Sequence, residues 1–182
     1  AIETDLVSQF MLAREVGRHM LERKYGRIVN ISSIMGILGR ATVAGYVAAK
    51  HGLIGLTKNL AAEFGPDVTC NAIAPGYIRT ELNVPLQQNK AFNAMLEQRT
   101  AAHRWGRPED LRGPLLLLAS DASAYMTGHT LVVDGGMTVI LGRHVVDSAL
   151  GDTGPVCRPA AVRLRRAYGL AARSLARQGR LC

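Results

Sequence analysis

The sequence has no apolar run of membrane-spanning length. Residues 115–119 form an uninterrupted apolar stretch, but a spanning helix needs about 20 residues. No serine lies in the Gly-x-Ser-x-Gly setting of a hydrolase nucleophile. The cysteines and histidines lack the spacing of metal ligands; they are Cys70, Cys157, Cys182, His19, His51, His103, His129 and His144. These absences argue against a membrane protein, a metal site and a serine hydrolase, and favour a reducing cytoplasm.

Negative charge is scarce, with 14 acidic residues against 22 basic ones, but the imbalance is local. Residues 1–141 contain 14 Lys and Arg against 12 Asp and Glu, whereas residues 142–182 contain eight Arg, two Asp and no Lys. We therefore predict no nucleic-acid partner for the nearly balanced body. We interpret residues 1–141 as one domain and residues 142–182 as a basic Arg- and Ala-rich tail, disordered or partly helical. Its candidate helix spans residues 160–177.

A glycine-rich turn for a dinucleotide pyrophosphate is also absent. Such a turn joins a first strand to a first helix, so that backbone N–H groups meet the phosphates. Gly36 and Gly39 lack the three-glycine spacing. Gly52 and Gly55 fall within a predicted helix, where small residues allow close helix packing. The sequence thus contains no recognisable pyrophosphate site.

One constellation that is present carries chemistry: Ser33, Tyr46 and Lys50. Tyr46 and Lys50 are four residues apart, so they share one face of a helix. An ammonium beside a phenol stabilises the phenolate, which lets the phenol act as a general acid or base. A nearby serine hydroxyl can hold the substrate oxygen from a second direction. These residues predict proton transfer at an alcohol or carbonyl carbon.

The segments around this constellation predict a strand–helix–strand unit. Residues 27–33 form an apolar strand that ends at Ser33, and residues 68–74 form a second one. Residues 43–64 form the connecting helix, with Thr42 as its N-terminal cap. A helical connection makes the strands parallel, so their carboxyl ends and the chemistry lie at one edge of the sheet.

The remaining segments complete an α/β pattern. Residues 2–24 predict a long helix whose inward candidates are Leu6, Phe10, Ala13 and Met20. Residues 81–100 predict one or two helices, which form either a mobile substrate lid or ordinary surface helices. A further helix ends near residue 120, a last strand covers residues 130–133, and Cys70 is expected to be a buried thiol.

Four ordered motifs resemble the classical short-chain dehydrogenase/reductase family. They are RIVNISSIMG at 27–36, YVAAK at 46–50, NAIAPGYIRT at 71–80 and VVDGG at 132–136. The resemblance covers residues 1–141 and implies a Rossmann-like, doubly wound parallel sheet, of which this chain supplies the C-terminal half only. By the family pattern, the glycine-rich first half would lie upstream. An apolar sheet edge would then be left uncovered.

The resemblance also implies roles for individual residues. Tyr46 would be the general acid/base, Lys50 would support it and bond the nicotinamide ribose, and Ser33 would polarise the substrate oxygen. The residues implied to border the nicotinamide of NAD or NADP are Pro75, Gly76, Ile78 and Thr80. The family has an asparagine that supports a water chain to the lysine; its position holds Asp5 here, which lacks the amide donor and adds a charge near Lys50.

Within the family, residues 77–83, 103–110 and 134–137 look most like gluconate 5-dehydrogenases and next like 3-oxoacyl-(acyl-carrier-protein) reductases. The implied function is NAD(P)-dependent interconversion of a secondary alcohol and a ketone, such as gluconate and 5-ketogluconate. Reduction of a 3-oxoacyl substrate, or an inactive fragment without the phosphate turn, are the alternatives. A substrate carboxylate needs a cationic or amide partner, for which Arg40 and Arg104 are candidates. The implied partners are this small-molecule substrate and identical subunits in a dimer or tetramer.

Overall fold

The computed structural model describes residues 1–140. The predicted tail at 142–182 and its candidate helix at 160–177 lie outside the described residues. In chain order the helices are α1 (Ser8–Glu22), α2 (Ala44–Phe64), α3 (Val84–Gln88), α4 (Lys90–Arg99) and α5 (Arg112–Ala119). The strands are β1 (Gly26–Ile31), β2 (Val68–Pro75) and β3 (Thr130–Val133). A π-helical turn (Glu3–Val7) precedes α1, and 3-10 turns cover Ile34–Gly36, Glu81–Asn83, Pro108–Leu111 and Asp121–Ser123.

The three strands form one parallel sheet in the order β1-β2-β3. Gly26 lies opposite Val68 and Ile31 opposite Ile73, so β1 and β2 pair over the whole of β1. Helix α2 connects them, which confirms the predicted strand–helix–strand unit. Strand β2 is buried along its length except at its last residue, because it has a strand on each side and helices above and below.

Helices pack on both faces of this sheet, as a doubly wound fold requires. On one face a buried cluster joins α1 and α2 to the strands; it comprises Ala13, Leu60, Ala61, Phe64, Val68 and Cys70. The amide of Asn30 in β1 donates to Thr57 Oγ1 in α2 at 2.9 Å. On the other face Arg27 pairs with Asp121, which follows α5, at 3.0 Å. The alternation of Arg27 and Asn30 between faces is that of a strand.

Cys70 is fully buried at the centre of β2, as predicted. Loss of hydration around its sulfur raises the pKa of the thiol to about 12. The side chain therefore packs as a neutral, small apolar group.

Three details of the helices differ from the sequence predictions. Thr42 does not cap α2: its backbone is left-handed, with φ of 71°, whereas a capping residue is extended. Helix α2 instead follows Val43, which makes no side-chain cap. Phe10 is 41% exposed because no described element covers its ring, while Ala13 on the same helix is buried. At Gly55 a Cβ would meet nothing within 4 Å among the described residues, whereas at Gly52 it would lie 2.7 Å from Leu6, so only Gly52 serves close packing.

Apolar side chains are exposed beside β1, on α1 and on α5. They include Phe10, Met11, Leu12, Ile31, Leu115 and Leu116. The described part of the chain thus has the uncovered apolar surface that the sequence predicted. No helix in residues 1–140 has both the length and the apolar character to cross a membrane.

Candidate active site

Ser33 lies two residues beyond the end of β1. Its hydroxyl oxygen accepts a hydrogen bond from the Met35 N–H at 3.1 Å and so caps the following 3-10 turn. The neighbouring Ser32 is buried, and its hydroxyl donates to the Lys50 carbonyl at 3.1 Å. This bond ties the end of β1 to helix α2 and fixes the distance between Ser33 and the residues on that helix.

Tyr46 and Lys50 share one face of α2, as their spacing predicted. The Lys50 ammonium lies 5.5 Å from the centre of the Tyr46 ring, within range of a cation–π interaction. Lys50 is 9% exposed, and its ammonium donates to the Ile31 carbonyl at 3.1 Å. The lysine is thus held beneath the tyrosine by the last residue of β1.

Asp5 also reaches this lysine, with 3.2 Å between Asp5 Oδ1 and Lys50 Nζ. It lies in the π-helical turn Glu3–Val7, a type of turn found often at functional sites. The two charges are largely withdrawn from solvent, because their side chains are 29% and 11% exposed. The ion pair partners a buried ammonium that would otherwise be costly to desolvate.

The segment after β2 forms the opposite wall. The Gly76 N–H donates to the Val133 carbonyl at 3.0 Å, and a Cβ at Gly76 would lie 2.8 Å from the Asp134 Cα, so only glycine fits here. Asn83 then holds the next turn: it accepts from the Thr80 N–H at 3.1 Å and donates to the Ile78 carbonyl at 2.7 Å.

A cavity of about 420 Å³ lies between these walls, a size typical of small-molecule sites. Its lining includes six of the residues singled out from the sequence: Ser33, Tyr46, Pro75, Gly76, Ile78 and Thr80. Lys50 and Asp5 do not line it; they lie behind Tyr46. Arg40 is at the cavity wall, whereas Arg104 lines a separate pocket of about 220 Å³.

Arg104 is already neutralised by Asp110. Its guanidinium donates to both carboxylate oxygens, at 2.7 and 3.1 Å. This pairing raises the pKa of Arg104, and with the Arg107 N–H it lowers the pKa of Asp110 to about 2. Of the two arginines proposed as carboxylate partners, Arg40 alone lines the cavity with Tyr46.

Several lining residues were given no individual role from the sequence, although all but Leu111 lie in the quoted segments. They are Ser32, Ile34, Met35, Tyr77, Asn83, Pro108 and Leu111. Tyr77 lies directly after Pro75-Gly76, so its place at a strand end could have indicated it. Pro108 and Leu111 come from a distant turn that only the tertiary fold brings to the site. The helices at 81–100 exist as predicted, while their movement as a lid remains a prediction.

Comparison with known proteins identifies the fold. The family model described as enoyl-(acyl-carrier-protein) reductase matches residues 1–138. The chain belongs to the short-chain dehydrogenase/reductase family. The resemblance stated from the motifs is confirmed.

The family members most similar to the chain include sugar-acid enzymes. A 2-dehydro-3-deoxy-D-gluconate 5-dehydrogenase from Formosa agariphila is 41% identical over 144 residues, 78% of this chain and 54% of that protein. A 5-keto-D-gluconate 5-reductase from Escherichia coli is 42% identical over 76% of this chain and 55% of its own length. A 3-oxoacyl-(acyl-carrier-protein) reductase from Rickettsia felis is 41% identical over 76% and 57%, respectively.

Solved structures agree with the fold. A gluconate 5-dehydrogenase from Burkholderia cenocepacia, in complex with NADP and tartrate, superposes with a TM-score of 0.73 and 42% identity. The match covers 75% of this chain and 54% of that one. A mutant 4-hydroxyisoleucine dehydrogenase complexed with NADH and succinate gives a TM-score of 0.74 and 42% identity, over 76% and 58% of the two chains. The chain spans only a little over half the length of the relatives it matches.

Proposed function

We propose that this chain carries the catalytic half of an NAD(P)-dependent oxidoreductase that interconverts a secondary alcohol and a ketone. The observation that supports it best is the shared cavity: Ser33 and Tyr46 line one space, and Lys50 lies directly behind Tyr46. Family membership supplies the reaction class for this arrangement.

Tyr46 is proposed as the general acid in ketone reduction. Its phenol gives a proton to the substrate oxygen as a hydride reaches the carbonyl carbon, and it takes the proton back in alcohol oxidation. The Lys50 ammonium stabilises the phenolate left behind, because opposite charges attract strongly in a partly buried site. The Ser33 hydroxyl donates to the same substrate oxygen and stabilises the charge that develops on it.

Asp5 is proposed as the residue that positions Lys50. Its carboxylate forms an ion pair with the ammonium at 3.2 Å, while the Ile31 carbonyl accepts a hydrogen bond from the same ammonium. These two contacts restrict the position of the lysine beside the phenol. Asp5 is also the candidate for passing protons between Lys50 and solvent, in place of the family's asparagine.

The residues present fit the nicotinamide end of the cofactor. The wall from Pro75 to Thr80 borders the cavity. Lys50 is proposed to bond the ribose with the N–H that its contacts with Ile31 and Asp5 leave free. NAD or NADP supplies or accepts the hydride there when bound. The pyrophosphate has no glycine-rich turn to meet it in the 182 residues, so the fit concerns the nicotinamide end alone.

The proposed substrate pair is gluconate and 5-ketogluconate. Relatives named for 5-keto-D-gluconate and 2-dehydro-3-deoxy-D-gluconate support a sugar acid. Two structural neighbours were crystallised with the carboxylates tartrate and succinate. Reduction of a 3-oxoacyl substrate is the second candidate, favoured by the Rickettsia relative and by the apolar side chains Ile34, Met35 and Leu111 in the cavity lining.

The experiment is a turnover assay with NADH and NADPH, in which the chain is mixed with the part of the Escherichia coli relative that it does not cover, using 5-ketogluconate and a 3-oxoacyl thioester in parallel. We expect 5-ketogluconate to be reduced, and Tyr46→Phe to lower kcat by at least 100-fold, in line with the usual contribution of acid–base catalysis. Tyr125→Phe is the matched control, because that side chain is fully exposed and remote from the cavity. If the thioester is reduced faster than 5-ketogluconate, a 3-oxoacyl compound becomes the proposed substrate. Unchanged turnover in Tyr46→Phe would refute the role of the tyrosine.

Assembly and compartment remain predictions from the sequence. We propose a homo-oligomer, dimeric or tetrameric, that works in the cytoplasm. The exposed apolar side chains on α1 and α5 are consistent with further packing partners. Light scattering of the purified protein would measure the assembly directly.

A further inference from the structure

We infer that Arg40, held by Tyr77, binds the carboxylate of the substrate and so selects an acid over a neutral polyol. The inference rests on the proposed function, because it assigns the substrate class of the same cavity. It follows from the charges that face the cavity, from the support of the Arg40 side chain and from the shape of a sugar acid.

Among the described residues that line the cavity, one side chain is formally charged, and that charge is positive. It belongs to Arg40; the described part of the chain contributes no other Lys, Arg, Asp or Glu to the lining. Within the described part of the chain, no carboxylate lies within 4.0 Å of its guanidinium, whereas Arg14, Arg27 and Arg104 each have one. A guanidinium with free N–H groups beside a small-molecule cavity is suited to a carboxylate, which it can bind through two parallel hydrogen bonds.

Tyr77 restrains this arginine at a second point of the chain. The Arg40 guanidinium donates to the Tyr77 hydroxyl at 3.1 Å, although the two residues are 37 positions apart in sequence. This bond uses one N–H of the fork and leaves the others for a ligand. Restraint matters because a long exposed side chain otherwise loses entropy when it binds.

The Tyr77 ring is itself fixed by aromatic neighbours. It packs edge-to-face on Phe92 at 5.4 Å and on Trp105 at 5.7 Å between ring centres. Trp105 is 2% exposed, and its indole N–H donates to Asn93 Oδ1 at 2.8 Å. The hydroxyl that orients Arg40 is therefore attached to the packed part of the domain, and helix α4 contributes Phe92 and Asn93 to its support.

The shape of gluconate allows it to reach both Arg40 and the pair Ser33 and Tyr46 within one cavity. Its carboxylate and the carbon oxidised at C5 lie at opposite ends of a four-bond chain, so both must bind within one small space. Ser33 and Tyr46 meet the reacting oxygen, and Arg40 lines the same cavity of about 420 Å³. D-glucitol, in which a hydroxymethyl group replaces the carboxylate, presents the same C5 carbon without the charge.

The first test compares oxidation of gluconate and D-glucitol, with NADP, by the mixture of the chain and the uncovered part of the Escherichia coli relative. We expect Arg40→Ala to lower kcat/KM for gluconate about 10- to 100-fold, the usual effect of a charged hydrogen bond, with D-glucitol unchanged. Arg40→Lys should recover part of the loss, and Tyr77→Phe should lower the preference several-fold by freeing the guanidinium. Arg23→Ala, an exposed arginine at the end of α1, is the matched control. An equal loss for both substrates would overturn the inference.

The second test does not require turnover. Ligand-observed NMR measures the binding of gluconate and D-glucitol to the 182-residue chain, with wild type and Arg40→Ala compared under identical conditions. Binding of gluconate that Arg40→Ala abolishes supports the inference even if no oxidation occurs, and that combination would count against the proposed reaction alone. Absence of gluconate binding to the wild type, or equal binding to the variant, would overturn the inference.

Discussion

At the residue scale, Lys50 links the end of β1 and the turn before α1 to the Tyr46 ring of the candidate site. Its ammonium contacts the Ile31 carbonyl, the Asp5 carboxylate and the face of the Tyr46 ring. Lys50 and Asp5 do not line the cavity, but Tyr46, which lies against Lys50, does. We therefore expect the order of the phenol to depend on the ion pair between Asp5 and Lys50.

Replacement of Asp5 tests that dependence. Asp5→Ala removes one acceptor of Lys50, so we expect kcat to fall about 10-fold, equivalent to about 1.4 kcal/mol, with KM little changed. Asp5→Asn should restore most of the activity, because its amide oxygen still accepts from the ammonium. Steady-state kinetics of both variants against wild type provide the measurement. If Asp5→Asn is as slow as Asp5→Ala, Lys50 requires the negative charge of the carboxylate, and a neutral oxygen atom in its place is not sufficient.

The Arg104–Asp110 pair predicts a pH dependence of stability. The Arg104 hydrogen bonds and the Arg107 N–H lower the folded pKa of Asp110 to about 2, below its ordinary value of 3.8. A lowered folded pKa means that the stabilisation is present above the unfolded pKa and is lost as the pH falls through the folded one. We therefore expect wild type to lose stability as the pH falls from about 4 to about 2. The Asp110→Asn variant should lack this loss, because its amide does not titrate.

Urea midpoints measured at each pH would show this effect. The control is Glu109→Gln, which changes an exposed carboxylate one residue away. The pair is exposed, so the difference should be small, and salt should reduce it. Parallel pH curves for wild type and Asp110→Asn would contradict the assignment.

At the element scale, helices α1 and α2 are in close contact at Gly17. A Cβ at this position would lie 2.5 Å from Cε2 of Phe64, a buried ring in the main apolar cluster. At Gly55 of α2, by contrast, a Cβ would meet nothing within 4 Å in the described part of the chain. The two glycines thus differ in their surroundings while both lie inside helices.

We predict opposite effects for alanine at these two positions. Gly17→Ala should lower the free energy of unfolding by about 1–3 kcal/mol, because the methyl group forces Phe64 to move. Gly55→Ala should raise it by about 0.5–1 kcal/mol through helix propensity alone. Urea unfolding of both variants measures the difference. A stabilised Gly17→Ala variant would show that the two helices are not in close contact there.

The regular elements were the part of the fold that local sequence could predict. Strand β2 and helix α2 have nearly the predicted bounds, because continuous apolar runs and the break at Gly65-Pro66 are local signals. Thr42 failed as a cap because its left-handed backbone depends on the loop before α2. Phe10 failed as an inward residue because burial depends on which neighbouring elements cover it.

The candidate site was likewise predictable in part. Ser33 and Pro75-Gly76 follow from the predicted strand ends, and Tyr46 follows from its helical spacing to Lys50. Ile78 and Thr80 follow from the family resemblance, and both line the cavity. The bond from Arg40 to Tyr77 could not be predicted, because it joins two loops through side-chain positions that no local pattern encodes. The sequence likewise showed that Asp5 and Lys50 could be neighbours, but their separation of 3.2 Å required the three-dimensional structure.

At the scale of the whole molecule, the chain combines the cavity of the proposed active site with a sequence that lacks a recognisable pyrophosphate turn. It has no glycine-rich turn, and apolar side chains beside β1 are exposed. Its match covers a little over half of each relative. On this account the chain supplies residues for the nicotinamide end of the cofactor and none for the pyrophosphate.

The most direct test is a fluorescence titration of the 182-residue chain with NADH and NADPH, alone and mixed with the part of the Escherichia coli relative that the chain does not cover. We predict no saturable binding by the chain alone. The mixture should bind the cofactor and reduce 5-ketogluconate, and Tyr46→Phe should abolish the reduction while leaving binding intact. Tight binding by the chain alone would contradict the missing pyrophosphate site, and full activity of the Tyr46→Phe mixture would contradict the catalytic role of Tyr46.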